Sequence, residues 1–295
     1  MYDETLPVVA LIYDFDGTLS PGNMQEFSFI KALGMTSEEF WRRSNELTRN
    51  NDANGILCYM KLMLDEAQYR HISLKRESFQ RFGREVEFYP GVAEWFSLVN
   101  GYGRAKGVTV RHYINSSGLK EMIEGTSIAG EFENIYACSF LYNTDGVAVW
   151  PAVAVDFTTK TQFLFKINKG ISSVSDNSEV NRYMREEERP VPFRRMIYFG
   201  DGQTDIPCMK MVRQNGGHSI AVYDTESADK RRAAERLILE ERVNFVCPAD
   251  YREGGETYNV VTTIIDKVKY DYEFEQLLKR HRETAKREFE KDGGL

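Results

Sequence analysis

Histidine and cysteine are scarce in this 295-residue sequence, and long apolar runs are missing. Each shortage removes a class of function. The four histidines, His71, His112, His218 and His281, are scattered, and none has the neighbours of a nucleophilic triad. The four cysteines, Cys58, Cys138, Cys208 and Cys247, are widely spaced and form no CxxC pair. They read as free buried thiols in a reducing compartment, not as a zinc site or a disulfide framework. No apolar run approaches the roughly 20 residues that a membrane helix needs, so no membrane partner is expected. No long lysine and arginine block offsets the net charge of −7, which argues against a nucleic-acid partner. The N-terminal segment MYDETLP lacks the basic and apolar regions of a signal peptide, and a cytoplasmic location is the expectation.

What is present is an ordinary globular composition, 42% hydrophobic and 28% charged, in a chain long enough for a core plus a smaller domain. Residues 8–13, VVALIY, form a continuous apolar run of the kind that becomes a strand covered on both faces. From Met24 to about Phe88 the apolar residues recur at helical spacing, which predicts three or four helices and no strand. Pro90-Gly91 then punctuates the chain before a further helix. Strand and helix alternate from Val108. “VTVRHYINSSG” reads as strand then turn, “LKEMIEGT” as a helix, and “IYACSFLY” as a strand that enters a hairpin around Asp145-Gly146. “KTQFLFKINKG” is a helix stopped by Gly170, and 172–189 is a polar surface loop or exposed helix. “RRMIYFGDGQTDIPCMKMV” gives strand, turn and helix; “HSIAVY” and “VNFVCP” are two more strands. The charged segment 271–292 predicts a partly exposed helix packed on the core. The order implies an α/β fold: a doubly wound, mostly parallel sheet with a helical insertion after its first strand.

In such sheets ligands bind beyond the carboxyl ends of the strands. Three strand ends here are polar: Asp14 and Asp16 after the first, Ser116 and Ser117 mid-chain, and Asp201 and Asp205 in “GDGQTD”. A lone DxD, GDG or SSG is usually a turn. Four aspartates converging on one place would repel one another and need a cation. An all-oxygen set with room for water suits Mg²⁺ better than Zn²⁺. A carboxylate beside that ion can attack phosphorus, and a second one two residues on can protonate the leaving oxygen. The phosphoryl oxygens would need donors: a hydroxyl at Ser116 or Ser117, backbone N–H groups through Gly118, and a lysine such as Lys160.

“DFDGTL”, “INSSG”, Lys160 and “YFGDGQTD”, in that order, resemble the four motifs of the haloacid dehalogenase superfamily, mostly Mg²⁺-dependent phosphatases. The insertion resembles the small helical cap of phosphoserine-phosphatase-like members, which implies a core of 1–21 and 90–295 and a cap of 22–89. The resemblance implies roles. Asp14 would be nucleophile and Mg²⁺ ligand. Asp16 would be general acid and base, with its backbone carbonyl on the metal. Asp201 would bind the metal directly, and Asp205 through water or by orienting Asp201 and Lys160. Ser116 would bind the phosphoryl group, with Ser117 the competing register. Lys160 would neutralise it, with Lys166 and Lys169 as alternatives. Asp16 favours phosphate-ester hydrolysis over dehalogenation, because a halide leaves without a proton whereas an alkoxide needs one. The implied substrate is a small phosphorylated metabolite.

Other readings compete: a phosphomutase, a carbon–phosphorus hydrolase needing a cap lysine such as Lys31 or Lys61, or a non-catalytic phosphate-ligand binder. In the cap, Arg42, Arg43, Arg49 and Lys61 could meet an anionic substrate, although exposed basic residues on helices are usually solvated. Aromatic residues such as Phe40, Trp41 and Tyr59 are expected mostly to pack within the cap, with a minority facing substrate. Asp250 and Tyr251 could lie near the site rim.

Overall fold

The structure, a computed structural model, describes residues 6–176 and 178–291. β1, Val8–Tyr13, is enclosed from Val9 onward and lies at the centre of the sheet. Five helices follow before Phe88: α1 (Met24–Phe27), α2 (Phe29–Ala32), α3 (Ser37–Asn51), α4 (Gly55–Tyr69) and α5 (Arg76–Gly83). That is more than the three or four the periodicity predicts. Ser28 leaves helical geometry and splits one apolar run into α1 and α2, while its hydroxyl donates to the Phe82 carbonyl. α6 (Val92–Lys106) returns the chain to β2 (Thr109–Leu119).

β2 continues through Ser116, Ser117 and Gly118, where a strand followed by a turn is expected. Its pairing with β3 (Asn134–Tyr142) slips between Ser116 and Leu119, so the irregularity is a bulge within the strand. α7 (Lys120–Ile123) is a single turn. β4 (Ala148–Val153) pairs antiparallel with β3 around the expected hairpin. α8 (Phe157–Lys169) begins three residues before Lys160, because Asp156 and Thr159 form a capping box, and it stops at Gly170 in the left-handed region. Segment 172–189 is largely exposed and holds the one-turn α9 (Ser178–Asn181).

β5 (Met196–Gly200), α10 (Ile206–Gln214), β6 (His218–Tyr223), α11 (Ala228–Leu239), β7 (Phe245–Pro248) and α12 (Glu256–Lys291) complete the chain. The strand order is β4-β3-β2-β1-β5-β6-β7, parallel except at the β3–β4 edge. The chain winds outward from β1 in one direction, then restarts at β5 and winds outward in the other. The reversal at β1 makes the carboxyl ends of β1, β2 and β5 the topological switch point, where doubly wound sheets hold their ligands. Below it, Tyr13 stacks on Phe199 with ring centroids 4.7 Å apart, and α6 packs its Trp95 and Phe96 onto this centre. Among the described residues no helix is long and apolar enough to cross a membrane.

Candidate active site

β1 delivers Asp14 to the end of the sheet. The Asp14 N–H donates to the Phe199 carbonyl at 2.9 Å, which extends the β1–β5 ladder by one residue and fixes where its carboxylate points. The chain then turns at Gly17, whose φ is +76°. A Cβ there would sit 2.1 Å from Asp201 Oδ2, so only glycine lets the β1 turn close against the β5 turn. Asp16 points away from that contact, and its Oδ1 accepts the Met24 N–H at 2.8 Å. Burial of its carboxyl, then the neighbouring Asp14, hold Asp16 well above the usual carboxylate range. A raised carboxyl favours the protonated form that general-acid chemistry requires.

Asp14, Asp201 and Asp205 bring one carboxylate oxygen each within 4.8 Å of one another. Asp205 is fully buried and anchored by its neighbours. Its Oδ1 accepts from Lys160 Nζ at 2.7 Å and from the Tyr198 hydroxyl at 2.8 Å. Lys160 Nζ also stands 3.1 Å from Asp14 Oδ1, outside hydrogen-bonding alignment, so that buried oxygen lacks a hydrogen-bond donor. Burial works against the Lys160 charge, but Asp14 and Asp205 outweigh it and the ammonium is held. Burial and Asp14 push Asp201 up to about 7, and Asp205 is raised for the same reasons. Burial first, and repulsion between neighbouring carboxylates second, disfavour the ionised forms here.

The structure thus brings together Asp14, Asp16, Ser116, Ser117, Lys160, Asp201 and Asp205, as the motifs predict. Ser116 is buried, and its Oγ accepts the Gly118 N–H at 3.0 Å. Ser117 Oγ is buried without a partner and lines the same cavity. Gly118 is packed against Met24 and Asp16, with no room for a Cβ. Lys166 and Lys169 do not reach the site; they donate to carbonyls of the 173–182 segment.

The cavity above these residues has a volume of about 490 Å³, within the range of small-molecule sites. The helices between β1 and β2 supply one wall, including Gln25, Glu26, Trp41 and Tyr59. Arg42, Arg43 and Lys61 are taken by Glu46, Glu66 and Asp65, and neither these nor Lys31 or Arg49 lines the cavity. Asp250 pairs with Arg252 and Tyr251 is buried, its hydroxyl donating to the Thr18 carbonyl, so neither forms the rim. Three contributors have no local sequence signal: Tyr198 in an apolar strand, Gln25 in a four-residue helix, and Lys230 in α11 at the mouth. Tyr59 bridges the walls, its hydroxyl donating to the Ser117 carbonyl at 2.8 Å.

Residues 11–210 match the haloacid dehalogenase-like hydrolases. The chain belongs to that family. A haloacid dehalogenase-like hydrolase is thus what the seven-stranded sheet and its switch-point carboxylates describe. The chain is similar to an uncharacterized protein of Borreliella burgdorferi, 28% identical over 279 residues, which span 85% of this chain and 94% of that one. Its fold resembles a haloacid dehalogenase family hydrolase from Salmonella enterica serovar Typhi, with a TM-score of 0.52 and 14% identity, covering 89% of this chain and 73% of the other. A probable phosphoserine phosphatase from Vibrio cholerae is also similar, with a TM-score of 0.52, 11% identity, and 91% and 69% coverage.

Proposed function

We propose that this hydrolase is a Mg²⁺-dependent phosphatase that cleaves a small phosphomonoester through an aspartyl-phosphate on Asp14, with residues 22–89 acting as a cap. The observation that carries the reading is the convergence of Asp14, Asp201 and Asp205 within 4.8 Å, beside Lys160 and a raised Asp16. The all-oxygen donor set and the buried Asp14 Oδ1, which accepts no hydrogen bond, fit a hard divalent cation. Asp14 and Asp201 would hold it, with Asp205 behind them on Lys160. Bound there, Mg²⁺ supplies charge neutralisation and polarises the phosphoryl oxygens.

The chain's own groups do the rest. The Asp14 carboxylate attacks phosphorus as the bond to the ester oxygen breaks, and Asp16 gives that oxygen its proton. The alcohol leaves. Asp16, now a carboxylate, takes a proton from water as the water oxygen attacks phosphorus. The bond from phosphorus to Asp14 breaks, which frees phosphate and restores both aspartates. Lys160 neutralises charge on Asp14 and the phosphoryl group, and the Ser116 and Ser117 hydroxyls with nearby N–H groups receive its oxygens.

Purified protein with Mg²⁺ is expected to release phosphate from p-nitrophenyl phosphate. Asp14→Asn is expected to lower the rate by at least about 10³-fold while circular dichroism and Tm stay close to wild type. Unchanged turnover in Asp14→Asn would refute the assignment.

A further inference from the structure

The cavity is lined by two chemically different sets of residues. One is the aspartates and serines beside Lys160. The other, from α1, α3 and α4, carries acceptors and aromatic rings. Gln25 is only 1% exposed and lines the cavity, yet its buried side-chain oxygen, Oε1, accepts no hydrogen bond. A buried acceptor left in that condition costs stability unless a ligand completes it. Beside it, Glu26 is held in place: its Oε1 accepts from Trp41 Nε1 at 2.6 Å and from Asn23 Nδ2 at 2.6 Å. Trp41 and Tyr59 meet edge to face with centroids 5.8 Å apart, and both line the cavity. Among the described residues no lysine or arginine of 22–89 lines it; Lys230, the cation at the mouth, belongs to α11 and acts on Asp201.

A fixed carboxylate, an unpaired amide oxygen and two aromatic rings form a receptor for a positively charged N–H donor. We infer that the alcohol portion of the substrate carries an ammonium group and no carboxylate, so that the substrate is the phosphate ester of a small amino alcohol. The phosphate would lie over Asp14 and Lys160, and the ammonium against Glu26 and Gln25. This rests on the phosphatase reading for the phosphate end only.

The test compares phosphoethanolamine with n-propyl phosphate, its uncharged near-isostere, and with phosphoserine, which adds a carboxylate. With Mg²⁺ present, kcat/KM for phosphoethanolamine is expected to exceed that for propyl phosphate by roughly tenfold or more, and to exceed that for phosphoserine. Glu26→Gln keeps an acceptor for Trp41 and removes the charge, so it should bring the phosphoethanolamine-to-propyl ratio close to one. Equal use of the two esters by the wild type, a preference for phosphoserine, or an unchanged ratio in the variant would overturn the inference. Thermal stabilisation by each ester gives the same comparison without turnover. A protein inert towards every ester, p-nitrophenyl phosphate included, but stabilised selectively by phosphoethanolamine, would retain this inference and lose the phosphatase reading. Turnover of all esters without discrimination would do the reverse.

Discussion

His112 is enclosed in a directed chain of hydrogen bonds beneath the site. Trp95 Nε1 donates to the Tyr13 hydroxyl at 2.8 Å, that hydroxyl donates to His112 Nδ1 at 3.0 Å, and His112 Nε2 faces Asn100 Oδ1 at 3.1 Å. Trp95 can only donate and Asn100 Oδ1 can only accept, so with the buried imidazole neutral the chain runs one way. Burial pushes its pKa down to about 3. An unfolded histidine titrates near 6.5. Below that pH the unfolded chain binds a proton that the folded protein refuses, so His112 removes stability as pH falls from about 6.5 towards 3, by up to about 1.4 kcal/mol per pH unit. Asp201 has the opposite sign, because its raised pKa lets the folded protein bind the extra proton. The informative measurement is therefore urea unfolding at pH 7 and 5.5 in wild type and His112→Gln. The variant should be less stable at pH 7 and lose less on acidification; parallel pH slopes would contradict the role assigned to this ring. At this scale the motif residues were legible because charge at the end of an apolar run has few structural explanations. Tyr198 was not legible: it anchors Asp205 from inside MIYFG, where any aromatic residue reads as packing. Gln25 and Glu26 likewise gain meaning only once α1 is folded over Asp16.

α4 shows how one cap can serve two purposes. Asn54 Oδ1 accepts the Ile56 and Leu57 N–H groups at 2.9 and 3.0 Å, and its Nδ2 donates to Asp156 Oδ2 at 2.7 Å. It starts α4 and ties that start to the N-cap of α8, the helix that carries Lys160. Asn54→Asp keeps a good N-cap but sets two carboxylates against each other. Tm should change little, whereas KM for the phosphate ester should rise several-fold as the tie is lost; an unchanged KM would show that the bond does not help hold the cavity closed. α8 also shows why Lys160 is legible while the start of its helix is not. The sequence cue was KTQFLFKI, but Asp156 and Thr159 begin the helix earlier. α11 went unseen for a different reason. In ADKRRAAERLIL only Ala234 is buried, so its apolar stripe is too thin to announce a helix.

Across the whole molecule, the parallel sheet was the most legible feature, because strands buried on both faces must be continuous apolar runs. The extent of α12 was less so. Val261, Ile264, Ile265 and Val268 bury its first turns, while residues 277–290 are all exposed. Truncation after Gln276 should therefore change unfolding free energy by less than about 1 kcal/mol and leave turnover intact; a large loss in either would mean that the outer half docks onto something essential. The crowding of Asp14, Asp16, Asp201 and Asp205 around one buried ammonium has a kinetic consequence. A dianionic ester approaching the cation-free protein must enter beside Asp14 and force protons to stay on its neighbours, and the low-dielectric walls sharpen that cost. Loading should then be ordered, cation before ester. Orthophosphate should raise Tm in the presence of Mg²⁺ and leave it unmoved after chelation; an equal shift with and without the cation would contradict ordered loading.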